Sequence, residues 1–425
     1  MGAGDQRDSA AVTIGAWTTA LWACLAAQPA FAVEISGLLD LRLGASDSAQ
    51  SWPNGGLGKT RFDRSSTGLR VGQGFLKLQG DVLDAVTGSV VFSAADDRKG
   101  VLDVNEAWLA WNPVPTSAWK SQLRVGAFFP VTSLEIDYDS IGWTPRDTIS
   151  SSAINSWIGE ELRTVGLEYK LLRNGRQAGS AHDFGFTAGV FAANDPAGAL
   201  LAWRGWSISD RITGLTETIS LADLPAFKAT GALPSQTRSM NVFRELDQRL
   251  GFYASAQYAY AGKFELAAMR YDNRGDPMVL QDGQYAWLTR FNHVGARLKN
   301  VETFVGKWEF SAQWLAGDTL MGPGAVYVDF ASWFLLASRP LGPGSLAIRY
   351  DQFSTSERAA DLLPNDPNSE TGRALALAYR WTLSPQLSLV SEFLVVQSER
   401  AARLLLGQPA QQVERSFSTS LRWSF

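Results

Sequence analysis

The sequence predicts an all-β protein, a transmembrane antiparallel β-barrel of about 16 strands with short turns at one end and long loops at the other. The last ten residues alternate, with Phe417, Leu421 and Phe425 on one face and serines and Arg422 on the other. A period of two with one apolar face is typical of a strand, and here it runs to an aromatic carboxyl terminus. The chain holds 16 Trp, 10 Tyr and 22 Phe, yet its mean hydropathy is −0.08. Alternating lipid-facing and lumen-facing residues average to such values, which exclude a bundle of membrane-spanning helices.

Residues 1–32 are predicted to be a signal peptide. An apolar stretch of small residues over 10–27 precedes Ala30-Phe31-Ala32, which matches an A-x-A cleavage pattern. Cys24 is the only cysteine of the chain. Cleavage after this segment would leave residues 33–425 as a barrel without cysteine, and therefore without disulfides or thiolate metal sites.

Sixteen alternating segments can be traced from Val33 to the end of the chain. Segments of about 9–11 residues cross a bilayer when tilted, and the chain must close on itself because lipid cannot satisfy an open sheet edge. With an even count, the first and the last strand place both ends of the chain on the short-turn side. Counts of 14 and 18 remain open. The predicted strands are 34–43, 67–79, 87–95, 105–111, 122–129, 163–171, 184–192, 250–260, 263–271, 287–299, 307–315, 327–338, 345–353, 373–383, 387–397 and 413–425.

A soluble propeller or long sandwich is the alternative fold. No blade-length repeat supports it. Aromatic residues instead gather near strand ends, which is typical of an interfacial girdle. The residues in question are Trp108, Trp111, Tyr258, Tyr260, Trp308, Trp314, Tyr379, Trp381, Trp423 and Phe425.

The face opposite the apolar one predicts a charged lumen wall, since a charge facing lipid at mid-depth costs several kcal/mol. A barrel of this size leaves an aqueous channel. Each charge could instead be paired with a neighbour and merely stiffen the wall. The basic candidates are Arg42, Arg124, Lys170, Arg297, Lys299, Arg349, Arg380 and Arg422, and the acidic ones are Asp40, Glu168, Glu265, Glu309, Asp351 and Glu392.

Two long connections are the candidate functional loops. Segment 131–160 follows the fifth strand and is the candidate pore constriction, through Glu135, Asp137, Asp139, Arg146 and Asp147. It could equally lie outside the barrel, because no motif fixes its direction. Segment 194–247 is predicted to cap the entrance or pack against another subunit, and its tryptophans could alternatively bind a ligand.

The chain resembles the porins of Gram-negative outer membranes. The long loop after strand five and the terminal Phe425 carry this resemblance. The segments NEAWLAW (105–111) and LRVGAFFP (123–130) look like those of the phosphate-selective porins, a group that the chain loosely resembles. It implies a trimer that passes small hydrophilic solutes, with short periplasmic turns and long extracellular loops. The mixed lumen and the pI near 5.4 depart from the anion-selective members, so no solute is assigned.

The same resemblance implies a location and partners. The final strand ending at Phe425 resembles the signal read by the barrel-assembly machinery, and the outer face would contact outer-membrane lipid and lipopolysaccharide. The loop after strand five would fold into the pore, with Glu135 and Asp147, beside Asp137 and Asp139, opposite Arg42 and Arg124. Opposed charges across a narrow gap would then filter polar solutes.

Other function classes fit the sequence less well. A closed barrel acting through its loops is the main alternative. An outer-membrane hydrolase would need a base, and neither His182 nor His293 accompanies a nucleophile motif or a second metal ligand. An energy-coupled transporter would need a plug domain before the first strand. The formal charge of −4 gives no sign of nucleic-acid binding, and no cofactor or metal is predicted.

Overall fold

Sixteen antiparallel strands close into one barrel, which confirms the predicted fold class and strand count. The computed structural model describes residues 33–98, 100, 102–130, 132–136, 141–358, 363 and 365–425, so the predicted signal peptide lies outside the described residues. The strands are β1 (Val33–Ser46), β2 (Gly68–Leu83), β3 (Val86–Ala94), β4 (Leu102–Trp111), β5 (Trp119–Phe128), β6 (Thr164–Arg173), β7 (His182–Ala192), β8 (Gly251–Tyr260), β9 (Phe264–Asp272), β10 (Leu288–Thr303), β11 (Gly306–Met321), β12 (Val326–Leu341), β13 (Gly344–Glu357), β14 (Glu370–Thr382), β15 (Leu387–Arg400) and β16 (Gln411–Ser424).

The barrel closes between its first and last strands. Leu39 on β1 pairs with Trp423 on β16, and the backbones of Gly37 and Phe425 exchange hydrogen bonds of 2.9 and 3.1 Å. The terminal alternation behaves as predicted, because Phe425 is 48% exposed on the outer face whereas Arg422 is 4% exposed on the inner face. The apolar pattern therefore marks the outer surface of the barrel.

One aromatic prediction is wrong. Trp111 is exposed on the outer face, but Trp108 lies on the inner face, where the guanidinium of Arg124 stands 5.7 Å from its ring centroid. The two tryptophans are three residues apart, and residues of a strand at odd spacing point to opposite faces. They therefore cannot belong to the same girdle.

The wall is uneven in height. Strands β3 to β9 contain 9–11 residues, whereas β10 to β13 contain 14–16. Of these longer strands, β11 and β13 extend beyond their predicted ends by four to six residues toward the long loops. At that end of the wall the outward-facing Arg290 and Asp318 form an ion pair of 2.9 Å. The apolar alternation stops there although hydrogen bonding between the strands continues. Hydropathy therefore shows where the apolar band ends, and the strand itself continues past it.

The long-loop end carries the remaining structure. The helices are α1 (Ala153–Glu161) and α2 (Ala199–Trp203), and α1 begins after Ser152, whose hydroxyl accepts the Asn155 N–H at 3.3 Å. None of the described helices is long and apolar enough to cross a membrane. Short 3₁₀ turns and two-residue strand pairs complete the loops. They are the 3₁₀ turns Trp52–Asn54, Arg64–Ser66, Arg176–Ala178, Pro225–Phe227 and Ala401–Leu406, and the pairs Ile219–Ser220 with Ser239–Met240 and Leu280–Gln281 with Gln284–Tyr285.

Candidate functional site

Protein covers the inner wall on every strand of the barrel. Each of the sixteen strands carries at least one inward-facing residue that is no more than 5% exposed. The sequence predicts a water-filled lumen. At the height of these residues, side chains of the inserted loops fill the lumen instead. The residues, in strand order, are Asp40, Phe75, Val91, Asn105, Phe128, Glu168, Phe191, Tyr253, Tyr271, Phe291, Leu315, Phe334, Arg349, Ala376, Leu394 and Ser420.

The first inserted segment is the loop that follows β5. All nine residues of α1 are buried, and the Trp157 ring lies 5.4 Å from that of Phe291 and 5.2 Å from that of Phe330, both on the inner wall. Polar contacts anchor the same loop. Glu392 on β15 accepts the backbone N–H of Ile149 at 2.8 Å. The loop is thus packed against the wall through both apolar and charged contacts.

The second inserted segment, residues 199–213, was not expected inside the barrel. Asp210 receives hydrogen bonds from Arg42 on β1 at 2.6 Å and from Arg61 of the first long loop at 3.2 Å. The Trp206 indole N–H donates to the Ser354 carbonyl on β13 at 2.9 Å. The only sequence signal was the presence of tryptophans and arginines in a loop too long to be a simple connection.

The structure does not bring together the charges that were expected to face each other. Glu135 pairs with Arg349 at 2.7 Å, whereas Arg42 pairs with Asp40 and with Asp210 of the second loop. Arg124 pairs with Glu168 on the neighbouring strand at 2.8 Å, and Lys170 reaches the same carboxylate at 3.3 Å. Asp147 pairs with its neighbour Arg146 at 2.8 Å. Asp137 and Asp139 lie outside the described residues.

The reason for this difference is local. Side chains two residues apart on a strand share a face, so Asp40 can reach Arg42, and Asp351 can reach Arg349 at 2.8 Å. Arg42 and Arg349 therefore each have a carboxylate partner on their own strand, independently of the inserted loops. The expected opposition of an acidic loop and a basic wall is wrong for these pairs.

The half of the lumen near the short turns is open. We call the two cavities there, of about 590 and 280 Å³, the vestibule. Arg146 borders both cavities and pairs with Glu309 at 2.8 Å. Arg297 pairs with Glu265 at 3.2 Å, and Arg380 donates to the carbonyl oxygen of Arg146 at 3.0 Å. The charged side chains that line the vestibule from inside the barrel are Lys120, Arg146, Arg297, Lys299, Arg380 and Arg422, against Glu135, Asp183 and Glu265. Arg173 lies at the rim and faces outward, where its guanidinium stands 5.9 Å from the Phe184 ring centroid.

Burial perturbs several charged groups of the inserted loops. It raises the pKa of Glu161 to about 7, although the Trp157 indole N–H donates to this carboxyl at 2.5 Å and the Leu200 N–H at 2.9 Å. Burial also lowers the pKa of Lys59 to about 7, against the attraction of Glu370 at 2.5 Å. Burial would raise the pKa of Asp210, but Arg42 and Arg61 outweigh it and hold that pKa well below its usual range.

An acidic cluster lies where the second long loop leaves and rejoins the wall. The carboxylates of Asp195, Glu245 and Asp247 have oxygens within 4.8 Å of one another. Burial, with the nearby Asp247, raises the pKa of Asp195 to about 7. These carboxylates accept backbone N–H groups, such as that of Ala193 at 2.9 Å on Glu245. The cluster thereby holds the two ends of the loop together.

The two histidines lie on opposite faces of the wall. His182 is exposed on the outer face, 2.8 Å from the Tyr258 hydroxyl. His293 is buried on the inner face, and its Nε2 lies 2.6 Å from the side-chain amide of Gln313. The two rings therefore cannot act on one substrate.

Comparison with known proteins identifies the fold. No family model and no curated protein matches the sequence. The solved outer membrane channel DcaP of Acinetobacter baumannii superposes over 92% of this chain and 97% of its own, with a TM-score of 0.53 and 10% identity. The chain folds as a porin-like barrel. OmpT, an outer membrane protein of Vibrio cholerae solved in a trimer form, superposes over 93% of this chain and 100% of its own, with a TM-score of 0.51 and 10% identity.

Proposed function

We propose that this porin-like barrel is an outer-membrane channel through which small hydrophilic solutes diffuse passively, with a preference for anions. The observation that carries the preference is the charge of the vestibule, where six cationic side chains face three anionic ones. The chain as a whole has a formal charge of −4, so the excess of cations is local. A concave surface of one sign between low-dielectric walls concentrates solutes of the opposite sign.

The loop after β5 is the proposed constriction. Glu135 and Arg146 border the vestibule, and the same loop continues into α1, which fills the lumen beyond them. A solute leaving the vestibule would therefore meet this loop first. Arg42, Arg124, Lys170 and Arg349 are paired and covered in this conformation, and they would contact solutes only where the loops have moved.

Diffusion needs no catalytic group, cofactor or metal, and we propose that the protein is not an enzyme. The separation of His182 and His293 across the wall supports this reading. A channel would also need a route to its membrane. We propose that residues 1–32 are a cleaved signal peptide and that the barrel-assembly machinery reads the last strand, where the Phe425 and Trp423 rings pack 4.7 Å apart on the outer face.

The proposed assembly is a homotrimer in lipid and lipopolysaccharide. The trimer form of the similarly folded OmpT supports this, as does the apolar outer face of the short strands, with Val165 and Val190 exposed up to their long-loop ends. Crosslinking of the protein in intact membranes should give species of up to three chains. Monomers alone would contradict the trimer and leave the channel proposal standing.

A planar-bilayer recording tests the channel directly. The protein, purified from membranes, is inserted between two KCl solutions of different concentration, and the reversal potential is read from single steps. We expect discrete steps and a reversal potential of the sign set by chloride. A cation preference would overturn the role given to the vestibule.

A closed barrel acting through its loops is the second candidate. The observation that favours it is the covered inner wall, since every strand contributes a residue that is no more than 5% exposed. Persistent silence in the bilayer, from protein that runs as a folded barrel on unheated gels, would favour this candidate over the channel.

A further inference from the structure

We propose that residues 199–213, here called the plug segment, form a displaceable gate, and that two carboxylates, Asp210 and Glu160, hold it shut. This inference rests on the proposed channel function. It concerns regulation, because the covered inner wall implies that the lumen conducts only when the plug segment moves.

Asp210 forms the first anchor. It lies between Arg42 on β1 and Arg61 of the first long loop, and both guanidinium groups are buried. The pairing continues from Arg61 to Asp97 of the next loop at 2.8 Å, and from Asp97 back to Arg211 of the plug segment at 3.2 Å. The plug segment is thus tied to the wall and to two neighbouring loops by a chain of alternating charges.

Glu160, at the carboxyl end of α1, forms the second anchor. It accepts hydrogen bonds from Arg204 at 2.6 Å, from the Ser207 hydroxyl at 2.7 Å and from the Ser209 hydroxyl at 2.8 Å. One buried carboxylate therefore collects three donors from the plug segment. Charge-assisted hydrogen bonds of this kind are about twice as strong as neutral ones.

The plug segment contacts its surroundings mainly through side chains, and few backbone hydrogen bonds hold it. Its strand-like backbone contact is a single bridge, with the Ile208 N–H donating to the Lys59 carbonyl at 2.8 Å. Lys59 belongs to a loop and lies outside the barrel ladder. The plug segment can therefore leave without breaking any hydrogen bond between barrel strands.

The inner wall that the plug segment covers is charged and can be hydrated when it is exposed. Beneath it and α1 lie Asp40, Arg42, Arg349, Asp351 and Glu392, all on the inner wall. A permanently sealed core gains more from apolar side chains, because replacing buried ion pairs by apolar residues is often neutral or stabilising. A charged wall can instead be hydrated when the plug segment leaves, which is what a gated aqueous path requires.

The first test measures the solvent exposure of the plug segment and does not depend on ion conduction. Thr213 is fully buried, and its hydroxyl has no hydrogen-bond partner among the described residues, so Thr213→Cys in a Cys24→Ser background is a mild reporter. We expect slow labelling by a charged, water-soluble thiol reagent, and labelling at least about tenfold faster when Asp210→Asn is added, since that change removes the carboxylate that pairs the plug segment with Arg42 and Arg61. Asp223→Asn is the matched control, because Asp223 is on the same loop but half-exposed.

The outcomes of the labelling test are distinct. Faster labelling with Asp210→Asn and an unchanged rate with Asp223→Asn support the gate. Equal rates in both variants, with both running as folded barrels on unheated gels, overturn it. A variant with Glu160→Gln provides an independent repeat, since it weakens the second anchor and leaves Asp210 intact.

The second test locks the carboxyl end of the plug segment to the wall. The Thr216 hydroxyl donates to the Asp103 carboxylate on β4 at 3.0 Å, so these two side chains are in contact. Asp103→Cys with Thr216→Cys is therefore the pair to oxidise, and the loss of free thiols verifies that the disulfide has formed. We expect open probability to fall at least about tenfold on oxidation and to recover on reduction. If the open probability is the same for the oxidised and the reduced protein, the gate is overturned and the channel proposal stands. Silence of all forms, with labelling still accelerated by Asp210→Asn, would overturn the channel and leave only the displacement of the plug segment supported.

Discussion

Arg349 and Arg380 lie on adjacent strands, β13 and β14, and both face the lumen, yet their surroundings differ. Arg349 is fully buried and donates to Glu135, to Asp351 and to backbone carbonyls of the inserted loop. Arg380, closer to the short turns, borders the vestibule and forms no ion pair within the part of the chain that the structure describes. The same residue type on the same face is therefore structural where the inserted loops bury it and available to solutes where it borders an open cavity.

The largest expected effect is in the covered half. Arg349→Ala should lower the free energy of unfolding by about 3–5 kcal/mol, because it leaves the carboxylates of Glu135 and Asp351 buried without their cation. Tryptophan fluorescence in a guanidinium titration measures the change. Arg380→Ala is the matched control and should shift the midpoint little. A similar loss of unfolding free energy in both variants would show that Arg349 is no more structural than Arg380.

The next effect extends the comparison to Glu161, a buried carboxyl that forms no ion pair with any residue that the structure describes. Burial raises the pKa of Glu161 to about 7 from an ordinary value of 4.5, and the nearest donors are the Trp157 indole and the Leu200 N–H. The folded state then retains a proton that the unfolded state has already released. The stabilising contribution is complete below pH 4.5 and is lost as the pH rises through 7, a loss of about 3 kcal/mol.

Glu161→Gln tests this assignment, because an amide cannot titrate. The free energy of unfolding of the variant should vary less than that of the parent protein between pH 4.5 and 8. If the free energy of unfolding falls with pH at the same rate in both proteins, groups other than Glu161 cause the pH dependence. Arg204, which lowers the pKa of Glu161 from a distance, must remain unchanged in the comparison.

The smallest expected effect is in the vestibule. Arg380→Gln should reduce the ratio of chloride to potassium permeability by roughly threefold and leave stability unchanged, because an uncovered charge acts on ions through solvent. Reversal potentials in the bilayer measure the ratio. Arg358→Gln is the control, because Arg358 pairs with Asp329 on the outer face and does not line the vestibule. Equal changes in both variants would argue against a selective vestibule.

The sequence predicted the strands and left the loop positions open. A strand between lipid and lumen carries its own signature, because neighbouring residues meet different solvents, so all sixteen predicted segments overlap observed strands. The position of a loop depends on distant partners. Asp210 meets Arg42 across 168 residues, and Glu135 meets Arg349 across 214. Periodicity within a window cannot report such pairs, so the expected opposition of Glu135 to Arg42 and Arg124 was wrong.

The unequal strand lengths give the molecule two different flanks in the plane of the membrane. Along β3 to β9 the wall ends close to where hydrocarbon ends, so a neighbour can approach with only acyl chains or its own apolar strands between them. Along β10 to β13 the wall rises among the headgroups and bears charged pairs such as Arg358 with Asp329, which keep a neighbour at a distance. In the proposed assembly, lateral packing would therefore be directional: the flank of β3 to β9 suits close association, and the flank of β10 to β13 suits contact with polar headgroups.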